Sequence, residues 1–183
     1  LGSIVQSGAA LGTAANVNRA ADILQLLILQ SGSTISGEGG SGINNDTGSR
    51  SLTFYTDFAN KSKKVYTWDL QQDYSLDAFA EQEAAMMLNY SYHIPTIQAK
   101  NPRLRFAISP MPQISDSKVI NFAAYWPYAV SNQSDNPDTA WRFIRHLTSQ
   151  PIASAINQAQ GVPPARRDSV DDVVRNPTLG VFA

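Results

Sequence analysis

Apolar residues recur every three or four positions over much of the chain, which is the spacing that predicts amphipathic helices. The first such stretch follows Asn18, a residue type that caps helices, and is stopped at Gly32. A later stretch begins at Asn136-Pro137 and keeps its apolar residues on one face through Leu147. Helices are predicted in the residue ranges 18–30, 51–58, 75–79, 92–100, 136–147, 151–156 and 170–174.

Apolar segments without helical spacing lie between these helices and predict strands. Residues 84–88 are continuously apolar, residues 103–109 alternate, and residues 119–130 are apolar but broken by Pro127. Residues 3–11 are predicted to hold a further short strand. Residues 31–49 are rich in Gly, Ser, Thr and Asn, which predicts an exposed loop. Because the strands alternate with helices, the pattern indicates an α/β fold.

Composition excludes several classes of protein. With 43% hydrophobic and 16% charged residues among 183, the chain can bury a real core and is not a disordered tail. The net charge of -1 gives no basic surplus to neutralise phosphates, so nucleic acid is not an expected partner. The absence of cysteine excludes disulfides and thiolate metal sites. No apolar run reaches the length of a membrane span.

Signs of catalysis or of a resident metal are weak. His93 and His146 lie far apart and lack metal-ligand spacing, and no nucleophile-elbow motif occurs. Asp73, Asp77 and Glu81 recur every four residues, which is typical of a solvated acidic helix face. A glycosidase needs two carboxylates facing each other across a cleft, and this spacing does not predict that arrangement. We therefore expect no catalytic residue, no metal and no cofactor.

Three stretches carry recognisable motifs: residues 79–87 (FAEQEAAMM), residues 121–147 with their Asn136-Pro137 turn and following helix, and residues 161–168 (GVPPARRD). In this order they resemble motifs of the family 1 extracellular solute-binding proteins of bacterial ABC importers, of which maltose-binding protein is a distant relative. The resemblance covers essentially the whole chain. One departure is Gln82, which stands where the family has glycine. If that position needs positive φ, glutamine costs about 1 kcal/mol.

The resemblance implies a fold and a domain map. Such proteins have the type II periplasmic-binding-protein fold, with two α/β lobes and a ligand cleft between them. Residues 1–118 would then be the later part of the C-terminal lobe, 119–160 a segment of the N-terminal lobe, and 161–183 the return to the C-terminal lobe. The chain begins Leu-Gly-Ser with no initiator Met and no signal peptide. We therefore expect a missing N-terminal part of the same protein to complete the fold.

Candidate ligand contacts follow from what a sugar presents, namely apolar C–H faces and a rim of hydroxyls. Tyr90 and Tyr92 come directly after the apolar segment 84–88, where the resemblance places ligand-contacting aromatics. Tyr125 and Trp126 follow the inferred crossing between lobes. For each of these tyrosines and for Trp126, packing in the core or on the surface is an equal alternative.

Two further candidates carry weaker arguments. Trp68 lies in a loop before a predicted helix. Asn16 lies in the loop before the first helix, at a position that the maltose-binding relative uses for ligand, although an asparagine there is more often a cap or turn residue. A core role is the alternative for Trp68.

The resulting hypothesis is a binding protein rather than an enzyme. It captures a mono- or oligosaccharide outside the cytoplasm, from the periplasm or from the cell surface with a lipid anchor, and presents it to the membrane subunits of an ABC permease. The alternatives are a carbohydrate-active enzyme and an interaction module without a small ligand. Turnover of a chromogenic glycoside distinguishes the first, and absence of any solute-induced thermal shift distinguishes the second.

Overall fold

Helices make up most of the regular structure in the computed structural model, which describes residues 5–37, 40–41, 43–114 and 118–182. The chain divides into two compact units, residues 1–106 with 111–122 and residues 107–110 with 123–183. The described helices are α1 (Ala20–Gln30), α2 (Asp46–Asp57), α3 (Ser75–Ala80), α4 (Ile94–Lys100), α5 (Pro137–Leu147) and α6 (Gln150–Gln160). Short 3₁₀ turns occupy Ser91–His93, Arg167–Ser169 and Gly180–Phe182. No helix of the described residues is both long and apolar enough to cross a bilayer.

Six of the seven predicted helices are found, with corrections at their ends, but the helix predicted over residues 170–174 is wrong, since those residues form a bend and turns after the 3₁₀ turn Arg167–Ser169. The predicted cap of α1, Asn18, is wrong: the position before the helix is Arg19, and Asn18 donates its backbone N–H to the Ser75 hydroxyl at 2.8 Å. Helix α2 begins earlier than predicted because Asn45 caps it, accepting a hydrogen bond from the Gly48 N–H at 2.8 Å. That helix takes up the end of the loop predicted over residues 31–49. Residues 38, 39 and 42 of that loop lie outside the described residues.

The strand predictions are wrong in most cases. Residue 103 lies in a turn, and residues 104–109 and 119–130 have no regular secondary structure and join no ladder with any described residue. The regular ladder in the described part of the chain is a short antiparallel pair, β1 (Ser36–Gly37) with β2 (Gly40–Ser41). A strand needs a neighbour for its backbone hydrogen bonds, and apolar pattern alone does not supply one.

One short pairing does form, between two segments of the first unit that are distant in sequence. Ser7 and Ala84 make a parallel bridge, supported by bonds from the Ser7 N–H to Glu83 O at 2.7 Å and from the Ala85 N–H to Ser7 O at 2.8 Å. The predicted segments over 3–11 and 84–88 therefore meet, but only over a few residues. Residues 3 and 4 lie outside the described residues.

The core of the first unit surrounds Trp68, which is 0% exposed. Aromatic and aliphatic side chains from α1, α2 and α3 and from the segments that connect them pack around it. The buried members of this cluster are Ala10, Val17, Ile23, Tyr55, Trp68, Ala78 and Ala84. The segments on either side of the core are thereby fixed relative to α1.

The second unit has little buried surface of its own. Helices α5 and α6, all of whose residues are described, contain no buried residue. Phe143 on α5 is 60% exposed. Arg166 fastens the segment after α6 to the end of α5 by donating to Thr148 O at 2.7 Å and by pairing with Asp168.

Three of the described helices end in the same hydrogen-bonded turn, in which one residue takes positive φ. Gly32 after α1 has φ 85° and Gly161 after α6 has φ 64°, but the corresponding residue after α3 is Gln82 with φ 69°. In that turn the Glu83 N–H donates to Ala78 O at 2.7 Å, which is the long bond of a Schellman motif. Position 82 therefore does need positive φ, as the sequence analysis considered. The glutamine side chain makes that backbone conformation unfavourable.

Replacing Gln82 by glycine should stabilise the protein by about 1 kcal/mol, because a left-handed conformation costs an L-residue more than glycine loses in chain entropy. Denaturant unfolding of Gln82→Gly against wild type measures this. The matched reverse change is Gly161→Gln, which should destabilise by a similar amount, since a side chain at Gly161 meets no atom within 4 Å and only the backbone strain remains. Equal stability of all three proteins would contradict the strain argument.

Candidate functional site

Tyr90 and Tyr92 lie side by side in the first unit. Their rings stack with centroids 5.5 Å apart and planes inclined by 17°. Tyr90 ends the extended segment that follows Ala84, and the 3₁₀ turn Ser91–His93 reverses the chain so that Tyr92 returns beside it. Both rings are half-buried. Sequence reasoning named these two residues, and the structure brings them together.

Arg19 lies over this pair. Its guanidinium carbon is 5.6 Å from the centroid of each ring, within the range of a cation–π contact. Arg19 itself has φ 60°, an unfavourable backbone conformation for a residue with a side chain. Arg19 is the residue immediately before α1, so this conformation sets the direction in which the chain enters the helix.

Asp22, in the first turn of α1, completes the cluster. It accepts a hydrogen bond from the Tyr90 hydroxyl at 2.9 Å, and its carboxylate lies 4.0 Å from the Arg19 guanidinium. Burial, together with this hydrogen bond to Asp22, raises the pKa of Tyr90 above its ordinary value. The Tyr90 hydroxyl therefore stays protonated and acts as a donor to Asp22.

A small cavity opens next to this cluster, with a volume of about 40 Å³. Asp22, Asn89 and Tyr90 give it polar walls, and Leu26 and Phe122 are among its apolar ones. Pockets that enclose a small ligand measure about 300–1,000 Å³, whereas one water fills about 30 Å³ of liquid. This cavity, which we call the corner cavity, accommodates a single hydroxyl-sized group and is too small to enclose a whole ligand.

Two polar atoms, one in the tyrosine pair and one in the adjacent His93, have no hydrogen-bond partner among the described residues. The Tyr92 hydroxyl and His93 Nε2 are inaccessible to solvent and make no hydrogen bond within the described part of the chain. The Tyr92 and His93 ring centroids are 4.5 Å apart. Burial, and secondarily the positive charge of Arg19, lower the pKa of His93. His93 is therefore held in its neutral form over more of the acidic range than a free histidine.

Asn16 and Trp68, also named from the sequence, have structural roles in the first unit. The Asn16 amide donates to Asp69 O at 2.9 Å and to Gln72 O at 2.8 Å, and its oxygen accepts from the Trp68 indole N–H and the Thr13 hydroxyl. These bonds use both donors and both lone pairs of the amide. Since Trp68 is fully buried, neither residue presents a free group here, and their predicted ligand contact gains no support.

Tyr125 and Trp126 belong to the second unit and are exposed. Trp126 is 86% exposed and Tyr125 is 70% exposed. Their rings are available for contact, and their role as ligand contacts stays a prediction. Both lie in a segment that has no regular secondary structure and pairs with no described strand.

A larger, open cavity of about 350 Å³ lies elsewhere in the first unit, with Thr13, Lys61 and Asp69 among its lining residues. Its charged groups are already paired: Lys61 Nζ lies 3.1 Å from the Asp69 carboxylate, and the Tyr66 hydroxyl donates to the same carboxylate at 2.6 Å. The bond from Tyr66 is the main reason that the pKa of Asp69 is lowered. This cavity offers a ligand no free charged group.

Sequence reasoning missed Arg19 and Asp22. Their spacing of three residues places them on one face at the start of α1, but that signal also fits any surface ion pair. What distinguishes them is contact with residues about seventy positions later in the chain, and local pattern does not report it.

Comparison with known proteins identifies one family and one similar solved structure. Residues 7–180 match the family model for bacterial extracellular solute-binding proteins. No curated protein matches. Among solved structures, an ABC transporter solute-binding protein from Thermotoga lettingae TMO, bound with alpha-D-tagatose, shares the fold with a TM-score of 0.60 and 18% sequence identity. The similarity covers 91% of this chain and 43% of that one, so the chain spans less than half the length of this relative.

Removing His93 should reduce the loss of folding stability that occurs as the pH falls. Because its pKa lies below the ordinary value of 6.5 in the folded state, the unfolded chain takes up the proton first, and stability is lost as the pH falls from that value through the folded pKa. Thermal unfolding between about pH 8 and about pH 5 should show a smaller loss for His93→Gln than for wild type. His146→Gln controls for removal of a histidine elsewhere. Parallel curves for His93→Gln and wild type would contradict the burial argument.

Proposed function

The chain belongs to the bacterial extracellular solute-binding protein family, and we propose that it is part of a carbohydrate-binding component of an ABC importer. In this role it captures a mono- or oligosaccharide outside the cytoplasm and presents it to the permease subunits in the membrane. A lipid anchor on the complete protein would keep it at the cell surface. The family consists of binding proteins rather than enzymes, so release of the unchanged solute completes the cycle.

The observation that carries the sugar proposal is the stacked Tyr90–Tyr92 pair in contact with the charged groups of Arg19 and Asp22. Aromatic rings provide flat apolar area for the C–H face of a sugar, and Arg19 and Asp22 supply a donor and an acceptor for its hydroxyls. The solved relative was crystallised with a ketohexose, which supports a sugar as the ligand class. Trp126 offers a second exposed ring for such stacking.

We also propose that further polypeptide of the same protein completes the fold. The solved relative is more than twice as long as the part that this chain matches. Helices α5 and α6 carry apolar residues but bury none of them, which is the state expected of helices whose supporting sheet lies in another segment. On this proposal residues 119–160 belong to the N-terminal lobe, and residues 1–118 and 161–183 to the C-terminal lobe.

Calorimetry of the full-length protein against a panel of neutral sugars tests the proposed function. Tyr92→Ala and Trp126→Ala should each weaken binding by about 10- to 100-fold, because loss of one stacked aromatic ring costs on the order of 1–3 kcal/mol. Tyr92→Phe should retain more affinity than Tyr92→Ala, since the ring face survives. Binding of peptides or metal ions but of no sugar would overturn the proposal, and unchanged affinity in both alanine variants would remove these residues from the site.

Residues 1–183 alone should bind the sugar at least about 100-fold more weakly than the full-length protein, because loss of half the ligand contacts removes several kcal/mol and each 1.4 kcal/mol is a factor of ten. Parallel titrations of the two proteins measure this. The isolated chain should also self-associate through the exposed apolar faces of α5 and α6, which sedimentation can detect. A monomer that binds as tightly as the full-length protein would refute the domain map.

A further inference from the structure

Arg19 holds five N–H donors that no described residue uses. Its guanidinium makes no hydrogen bond there, and its contact with Asp22, at 4.0 Å, is at the outer limit of an ion pair. The Arg166 guanidinium, by comparison, donates to Asp168 Oδ1 at 2.9 Å and to Thr148 O at 2.7 Å. An arginine whose planar fork is positioned by aromatic rings but left without acceptors is arranged to bind an acceptor from outside the chain.

The backbone at Arg19 does not account for its side chain. Its φ of 60° is unfavourable for a residue with a side chain, but it closes a turn in which the Ala20 N–H donates to Val17 O at 3.3 Å. That backbone bond would form with other residues at this position and makes no use of the guanidinium. The arginine side chain is instead engaged by Tyr90 and Tyr92, over which its guanidinium lies.

Asp22 provides the complementary acceptor. A carboxylate accepts about four hydrogen bonds, and the described contacts of Asp22 use one of them, from the Tyr90 hydroxyl at 2.9 Å. Asp22 also lines the corner cavity of about 40 Å³, where Asn89 adds an amide. A hydroxyl entering this corner can donate to Asp22, and a neighbouring hydroxyl can accept from Arg19.

From this arrangement, and resting on the proposed function, we infer that Arg19 and Asp22 are specificity-determining residues that bind two adjacent hydroxyls of a neutral sugar. The two charges compensate each other at close range, so the pair has no net preference for a charged ligand. A charged group that pairs with one of these residues lies close to the like charge of the other, because Arg19 and Asp22 are only 4.0 Å apart, so a charged sugar is disfavoured relative to a neutral one. The ligand class is therefore a neutral sugar with a vicinal diol at the edge that faces α1.

Calorimetry of the full-length protein tests this inference. The probes are D-tagatose, D-glucose and maltose, the mono-deoxy forms of whichever binds most tightly, and D-glucuronate. Arg19→Ala and Asp22→Asn should each lower affinity for the neutral sugar by about 10- to 100-fold, the range for hydrogen bonds to charged groups. The matched controls Lys63→Ala and Asp57→Asn break an ion pair of 3.2 Å in the same unit and should leave affinity unchanged.

The deoxy sugars separate contact from mere positioning. Wild type should bind one deoxy form about 10-fold more weakly or worse, and Arg19→Ala or Asp22→Asn should lose that discrimination, because the group that reads the hydroxyl is gone. A residue that only supported the tyrosines would weaken all the sugars equally and keep the discrimination. D-glucuronate should bind wild type more weakly than D-glucose does.

The outcomes distinguish the inference from the function on which it rests. If wild type binds a neutral sugar while Arg19→Ala and Asp22→Asn bind it equally well, only the inference fails. Retained discrimination between sugar and deoxy sugar in both variants, or tighter binding of D-glucuronate than of D-glucose, overturns the inference as well. A wild-type protein that binds none of the sugars overturns the proposed function and the inference together.

Discussion

The side-chain amide of Asn16 joins two segments of the first unit. Asn16 lies shortly before Arg19, the first residue of the candidate site. It bonds to the backbone at residues 69 and 72 and to the indole of the fully buried Trp68, so the loop that leads into α1 is fixed to the core. Truncating this amide would leave the indole N–H of the buried Trp68 without a partner, at a cost of about 1–3 kcal/mol, and would also free two part-buried carbonyls. Arg19 and Asp22 follow this fixed loop directly. Their position over the tyrosine pair therefore depends on an asparagine that touches neither of them.

Among the described residues, Arg19 and Gln82 take positive φ without being glycine. Each closes a turn through backbone bonds, at Gln82 after α3 and at Arg19 before α1. The two differ in their side chains, because the Arg19 guanidinium lies over an aromatic pair and has no hydrogen-bond acceptor among the described residues. The backbone strain is therefore a structural cost at both positions, and the proposed effect on affinity rests on the Arg19 side chain alone.

Sequence reasoning succeeded where the determinants are local. The helix after Asn136-Pro137 depends on residues within a few positions and was predicted, and positive φ at Gln82 was raised as a condition that the structure meets. It failed for residues 103–109 and 119–130, because an apolar segment becomes a strand only when a distant segment bonds to it.

Tyr90 and Tyr92 were named through their place after an apolar segment. Their contacts with Arg19 and Asp22 were not predicted, because they span about seventy positions of the chain. The hydrogen bonds that saturate Asn16 and the burial of Trp68 are likewise set by distant residues, which local pattern does not report.

Several large aromatic side chains of the second unit leave most of their apolar surface exposed to solvent. Trp126 and Phe143 expose 86% and 60% of their surface, although burying a large apolar side chain is worth about 1.5–3 kcal/mol. The match to the solute-binding family extends over residues 7–180, so these residues lie within the shared fold and not in an appended tail. Within such a fold, an apolar helix face is normally covered by a sheet, and an exposed ring outside regular secondary structure is available to a ligand. On the proposed function, further polypeptide therefore covers Phe143, which lies on α5, and solute contacts Trp126, which does not lie on a helix.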